Sequence, residues 1–294
     1  MNTTYRKVVV IGYGKVTGEV LQYVCDRKRE YGYQVEFVEH EVHPLSITEK
    51  ICAENDIPYR QITDKKRLAL FFDKITERTL IISASNNFLF PASLAEKEHI
   101  TIINFHNALL PGYPGRNAPT WVIYMGEKET GITWHYVTAG VDEGNIIIQR
   151  RCAIGDDTKA YELTEQLMDL ACEAFRESFA DVMAQNADAK PQGFDPERRM
   201  YRSREVPSDG FFELADPPEN IYRLLRSVDY GKNDIFPPMR TVIDGREAQI
   251  LRYRKITPDK RRDEDGFLYL PLGKELLKIK YRYITEETHG GKNS

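Results

Sequence analysis

Val8-Val9-Val10-Ile11-Gly12-Tyr13-Gly14-Lys15-Val16-Thr17-Gly18 is the stretch whose reading sets the architecture. Four β-branched residues in a row suit a strand covered on both faces, and the glycines then turn the chain into helix-like sequence through Val24. The pattern recurs. Gln34 to Val38, Leu80 to Ile82 and Thr101 to Ile103 are further short buried-strand runs. Between them, Ser46-Ile47-Thr48-Glu49 has capping-box spacing and predicts a helix reaching about Asn55; Pro91 suits the first turn of another. Strands alternating with helices predict an α/β fold, a mostly parallel sheet with helices on both faces. Such sheets bind ligands beyond the carboxyl ends of their strands, which points to the segments after Gly12, Ile82 and Ile103.

Working outward, Gly131 to Val137 and Ile146 to Arg150 read as strands. Thr158 to about Gln185 carries Leu163, Leu167, Leu170, Ala174 and Phe175 at helical spacing, one long amphipathic helix packed on the sheet. The texture then changes. From Asn186 to Asp209 the chain is polar and broken by Pro191, Pro196 and Pro207. Beyond it come a helix near Pro218 to Ser227 and short strands at Thr241 to Ile243, Ala248 to Tyr253, Phe267 to Leu270 and Leu276 to Ile279. The expected organisation is an α/β domain over residues 1–190, a linker over 191–205 and a smaller β-rich domain over 206–294, with a frayed tail after Thr285.

The 294 residues are 41% hydrophobic and 29% charged, enough apolar material for a real core. A formal net charge of -4 gives no global pull toward nucleic acid or acidic membrane. No segment has the length of a signal-peptide core or a bilayer span, so a cytoplasmic protein is expected. Cys25, Cys52, Cys152 and Cys172 lie far apart, which suits free thiols rather than disulfides or a zinc site.

Gly12, Gly14 and Gly18 form G-x-G-x-x-x-G, with Glu39 or Glu41 near the end of the next strand, where a ribose-binding acid would sit. An NAD(P)-dependent oxidoreductase is therefore one rival reading. The third glycine is one position late for the dinucleotide fingerprint, and a tight strand-to-helix turn accounts for the same residues.

The residues that carry chemistry lie between Thr101 and Gln149. Asn104 and His106 are two apart at a strand's end and share one face, placing an amide beside an imidazole at the mouth of the sheet. Leu109-Leu110-Pro111-Gly112 then turns the chain away. Asp142 follows in a second loop, flanked by Gly140 and Gly144. Singly, each has an ordinary structural role: a half-buried histidine, a turn asparagine, a loop aspartate. Together they supply a carbonyl polariser, a group for proton transfer near neutral pH, and an acid that orients or deprotonates.

The N-x-H-x-x-L-L-P stretch with a downstream V-D-x-G resembles the 10-formyltetrahydrofolate-dependent formyltransferases, a family that includes methionyl-tRNA formyltransferase, glycinamide ribonucleotide transformylase and amino-sugar N-formyltransferases. The resemblance implies a Rossmann-like catalytic domain without NAD, an OB-like C-terminal domain, 10-formyltetrahydrofolate as co-substrate, and no metal. It puts the catalytic trio on Asn104, His106 and Asp142. Folate contacts fall on Phe88, Leu89, Phe90 and Pro91, with Thr138 and Val141 as further candidates. Tyr201-Arg202-Ser203-Arg204 and Pro207-Ser208-Asp209-Gly210 resemble the junction before the C-terminal domain of two-domain members.

The acceptor is less legible. Pro114-Gly115-Arg116-Asn117-Ala118-Pro119-Thr120 replaces the R-G-A-A-P-I of methionyl-tRNA formyltransferases and looks closer to amino-sugar and peptide-synthetase-associated enzymes. Arg116 and Asn117 are the acceptor-binding candidates. From Tyr201 onward the chain has 18 Lys plus Arg against 16 Asp plus Glu, whereas tRNA binding calls for a marked basic patch. The expected partner is a small-molecule amine, with methionyl-tRNA the alternative; no membrane partner is expected, and a homodimer is compatible. Formyltetrahydrofolate hydrolase shares the trio, but relatives of that type carry a preceding regulatory domain, and here the first strand begins at Val8. His135 stands near the same cleft, either supporting the site or packed in the core.

Overall fold

In the computed structural model of the chain, the structure describes residues 5–41, 46–193, 199–262 and 264–284. The tail expected after Thr285 lies outside the described residues, as does the middle of the proline-broken segment. Five strands run parallel: β1 (Lys7–Gly12), β2 (Gln34–Glu39), β3 (Tyr59–Gln61), β4 (Thr79–Ala84) and β5 (Ile100–His106). Two antiparallel strands, β6 (Glu129–Tyr136) and β7 (Ile146–Ala153), extend the sheet to the order β3-β2-β1-β4-β5-β6-β7. The α/β expectation holds.

The β-branched runs are covered on both sides. Val9, Ile11, Ile81 and Ile102 pack against Leu68 and Phe72 of α3 (Lys65–Asp73) and Leu94 of α4 (Ala92–Ala95). Elsewhere, Tyr23 of α1 (Gly14–Tyr31) meets Phe175 and Phe179 of α6 (Ala160–Ala184) edge-on, and Phe175 lies 5.1 Å from the Trp134 ring of β6. Trp134 is fully buried, and its indole N–H donates to the Ala171 carbonyl at 2.9 Å, so the ring is placed without a stranded donor.

Local signals were partly misleading. The helix α2 (Ile47–Glu54) starts after Ser46 as its spacing predicts, yet Ser46 makes no capping bond; its hydroxyl meets that of Thr48 instead. Pro91 precedes only a single turn, as its N-cap. Sequence periodicity missed β3, α3 and α5 (Ala118–Met125). The strand β3 is only three residues long, and α5 is hydrophobic nearly all round.

A second compact unit comprises Pro119–Lys128, Ile154–Leu163 and the chain from Arg202 onward. Its sheet is antiparallel, in the order β10-β11-β9-β8, from β8 (Arg240–Ile243), β9 (Arg246–Ile256), β10 (Phe267–Leu272) and β11 (Glu275–Tyr283). One face of that sheet, with Ile250, Leu272, Leu277 and Ile279, packs on Ile221, Leu224 and Leu225 of α7 (Pro218–Ser227). The Pro119–Lys128 segment meets the rest of the unit where the Thr120 and Tyr230 hydroxyls lie 2.9 Å apart, and Ile154–Leu163 joins it through three polar contacts. Tyr222 donates to Asp157 at 3.0 Å, Arg226 donates to the Thr158 carbonyl at 2.7 Å, and Lys159 pairs with Asp229 at 2.9 Å.

Gly12 explains the glycine loop. It adopts φ +145°, and a Cβ there would lie 1.7 Å from the Ala84 carbonyl oxygen, so β1 and β4 approach too closely for a side chain. Of the two candidate ribose acids, Glu39 is buried and accepts from Tyr59, and Glu41 accepts from Asn87. Gly12→Ala should lower urea-unfolding stability by about 2 kcal/mol or more, from strain plus clash. Gly14→Ala, where φ is +75° but nothing crowds the Cβ, should cost about 1 kcal/mol.

Candidate active site

Strand register builds the site. Asn104 on β5 pairs with Ser83 of β4 on one side and His135 of β6 on the other, so three polar side chains stand in one row across the sheet. The Ser83 hydroxyl donates to Asn104 Oδ1 at 2.7 Å. Asn104 Nδ2 lies 3.2 Å from His135 Nε2. His135 Nδ1 is 2.9 Å from the Tyr136 carbonyl, which can only accept, so Nδ1 carries a proton and Nε2 is left to face Asn104. His135 is both things the sequence left open: 1% exposed, and in contact with the site.

Two residues along β5, His106 Nε2 donates to the Tyr113 carbonyl at 2.8 Å, fixing its proton and turning Nδ1 toward Asp142 Oδ2 at 3.6 Å. Asp142 Oδ1 lies 3.5 Å from His135 Nε2, so this carboxylate faces both imidazoles. The structure thus brings Asn104, His106 and Asp142 together.

The Asp142 loop is held at several points. The residue itself has φ +54°. Gly115 N–H donates to Oδ2 at 2.8 Å, while Gln192 donates to the carbonyls of Asp142 and Gly144 at 2.8 and 2.7 Å. Gly144 must be glycine, since a Cβ would meet the Tyr136 carbonyl at 1.7 Å. Gly115 in turn sits under Tyr201, whose N–H donates to the Pro114 carbonyl at 3.0 Å and whose carbonyl accepts from Arg116 N–H at 2.9 Å. The Tyr113 and Tyr201 rings stack, 5.9 Å between centroids. One short loop therefore supplies the acceptor for His106 and a donor for Asp142. The turn after β5 is clamped as well. Thr133 Oγ1 donates to the Ala108 carbonyl at 2.7 Å and accepts from Leu110 N–H at 3.1 Å, and Gln149 reaches both Thr133 and the Leu110 carbonyl at 2.9 Å.

Burial alone would raise the Asp142 carboxyl, but the opposing charge of His106, the His135 contact and the Gly115 N–H outweigh it and hold the group well below the usual carboxylate range. The site keeps an ionised carboxylate in a buried place at any pH near neutral.

The remaining candidates divide. Phe88 is buried against Phe72, His40 and Phe90, whereas Leu89 is 73% exposed and Pro91 and Thr138 are exposed too. Phe90 is half-buried, and Val141 lies at the surface beside Asp142. Arg116 projects to solvent, and Asn117 takes φ +57°. Ser83, Thr133, Gln149, Gln192 and Tyr201 carry no role in the sequence reading. A lone hydroxyl closing the apolar run Leu80 to Ser83 and a lone amide in Ile146 to Gln149 were the available signals.

A family model described as formyl transferase matches residues 7–178, more than half of the chain. The chain belongs to the formyl transferase family. It is 28% identical over 187 residues to the methionyl-tRNA formyltransferase of Clostridioides difficile strain 630, a match spanning 63% of this chain and 60% of that protein. Its fold is similar to that of an N-formyltransferase from Helicobacter canadensis solved with folinic acid and dTDP-3-aminofucose, with TM-score 0.71, 14% identity and coverage of 95% and 100% of the two chains. HypX from Aquifex aeolicus, solved with tetrahydrofolic acid, is similar at TM-score 0.61 and 17% identity, over 95% of this chain and 44% of that one. At these identities the two structures speak to fold. No helix among the described residues is long and apolar enough to cross a membrane, and no His/Cys/Asp/Glu group among them could hold a metal.

A carboxylate whose pKa is depressed by folding adds stability above its unfolded value, about 4, and loses it as pH falls through the folded value. The stability difference between wild type and Asp142→Asn should therefore shrink from pH 7 to about pH 2.5, read from urea midpoints at each pH. A constant difference would show that the carboxylate is not held ionised.

Proposed function

We propose that the chain transfers a formyl group from 10-formyltetrahydrofolate to an amine, with catalysis located in the expected 1–190 region. The observation that carries this reading is the convergence of Asn104, His106 and Asp142, a buried ionised carboxylate beside an amide donor and two imidazoles. This donor set fits a formamide carbonyl. The neutral amine of the acceptor adds to the formyl carbon. Asn104 Nδ2–H and the His106 ring stabilise the negative charge that develops on the formyl oxygen. Asp142 accepts the proton shed by the amine, the C–N bond to the folate breaks, and that folate nitrogen takes up a proton as it leaves. Holding both substrates at the mouth of the sheet removes much of the entropic barrier. Crystallisation of structurally similar proteins with folinic acid and tetrahydrofolic acid supports a folate donor. Leu89, Thr138 and Val141 are the exposed side chains best placed to cover it, with Phe88 and Phe90 shaping the wall from beneath.

For the acceptor we favour a small-molecule amine, such as an amino sugar or an amino acid or peptide, selected by Arg116 and Asn117 beside the catalytic loop. One observation favours methionyl-tRNA instead. On the face of the C-terminal sheet away from α7, Arg252 and Arg254 of β9 pair with Lys280 and Lys278 of β11, which pair with Phe267 and Tyr269 of β10. Lys278 is buried, with Nζ 4.0 Å from the Phe267 ring centre and paired with Glu264 at 3.3 Å, so Arg252, Arg254 and Lys280 carry the outward charge; Arg261 lies 5.5 Å from the Tyr269 ring centre. The nearly balanced charge count of this region thus hides a basic, aromatic face of the kind that nucleic acids use.

Formylation of candidate amines, followed by folate product and formyl mass gain, tests the reaction. Asn104→Ala should cut turnover roughly 100- to 1,000-fold and His106→Asn at least as much, with folate affinity largely kept; near-normal turnover in both would sink the mechanism. Under the favoured acceptor, Arg252→Ala/Arg254→Ala leaves turnover within twofold and acceptor KM insensitive to salt. Formylation of methionyl-tRNA that weakens steeply with salt and fails in that double variant would install the alternative.

A further inference from the structure

Ser83 stands outside every role assigned above, yet it closes the row of side chains that aims Asn104. It is 1% exposed and pairs in register with Asn104. Its hydroxyl donates to Asn104 Oδ1 at 2.7 Å and accepts from Asn86 Nδ2 at 3.4 Å; Asn86 is itself fixed by accepting from Phe88 N–H at 3.0 Å and donating to the Phe88 carbonyl at 3.2 Å. A carboxamide has an acceptor end and a donor end of nearly the same shape, and only its partners decide which end points where. Because Ser83 Oγ already accepts from Asn86, its own proton points at Asn104, and an overturned amide would set Nδ2 against it, donor against donor. With the hydroxyl committed to Oδ1, the Nδ2 end stands on the His135 side, 3.2 Å from Nε2, where it can donate to a developing oxyanion.

We propose that Ser83, backed by Asn86, is a positioning residue that locks the Asn104 amide with its NH2 end toward the reacting carbonyl. The inference rests on the formyl-transfer reading but concerns a residue that reading does not use. Removing the hydroxyl leaves Oδ1 without its buried donor and lets the amide sample both orientations. Only the orientation with NH2 outward stabilises charge, so the loss falls on kcat.

The test combines kinetics with a direct view of the amide. Ser83→Ala should lower kcat about 10-fold, the effect of one neutral hydrogen bond in the site, with KM for 10-formyltetrahydrofolate within twofold. Ser83→Thr, which keeps the hydroxyl, should recover most of it. In an Asn104→Ala background, Ser83→Ala should add less than twofold, because the group it positions is gone. In protein labelled with 15N-asparagine, the Asn104 side-chain amide pair, identified by its loss in Asn104→Ala, should shift or broaden in Ser83→Ala and stay in place in Ser83→Thr. Should Ser83→Ala not fold, Ser83→Cys, nearly isosteric and a weak donor, should show the same direction of change. Unchanged kcat and amide signals in Ser83→Ala, or a loss that multiplies in full with Asn104→Ala, would overturn the proposal. Absence of formyl transfer by the wild type would overturn the reaction, while the amide signals would still decide the role of Ser83.

Discussion

A buried carboxylate demands compensation, and the arrangement around Asp142 is organised by that demand. An isolated ion there would carry a desolvation penalty large enough to force it neutral or to open the loop. Two imidazoles, one backbone N–H and a loop bent through φ +54° satisfy it together. The same partners give the carboxylate its use. It remains ionised near neutral pH, and it stands beside the amide and imidazole that would receive charge from a carbonyl. Under the proposed reaction, compensation and chemistry draw on one set of contacts, so changes at Gly115 or Gly144 are expected to disturb catalysis and folding alike.

Precision in this site comes from register rather than from loops. Ser83, Asn104 and His135 lie on three adjacent strands, and a slip by one residue would turn Asn104 and His106 to the opposite face. The buried runs on either side make such a slip costly: Ile81 and Ile102 fit against α3 and α4, and Trp134 anchors β6 to α6. Loop elements are then tied to this frame by a few side-chain hydrogen bonds each. Tyr113 holds His106, Thr133 and Gln149 hold the turn after β5, and Gln192 holds the Asp142 loop.

Glycines that look alike in the sequence do different work. Gly12 allows β4 to approach β1, Gly115 allows Tyr201 to lie against the loop after β5, and Gly144 clears the Tyr136 carbonyl. Of the G-x-G signal near the start of the chain, Gly12 is thus explained by strand packing and Gly14 by its left-handed backbone, φ +75°. Charge counting had a similar weakness in the C-terminal unit, where alternation along β9 and β11 collects arginines and lysines on one face that the summed charge conceals.

Determined by the sequence alone were the α/β layering, the long helix over Ala160–Ala184, the strand carrying Asn104 and His106, and the motif that joins them to Asp142. These are legible because hydrophobic periodicity and short motifs are local, each readable within a few residues of chain. The tertiary structure alone decided what each candidate site residue touches. Ser83 lies 21 residues from Asn104 and Gln192 lies 50 from Asp142, and the intervening sequence does not specify either distance in space. It also decided that Phe88 turns inward while Leu89 turns out. Pairing across strands and the competition for buried volume depend on the whole fold at once, so no local pattern records them.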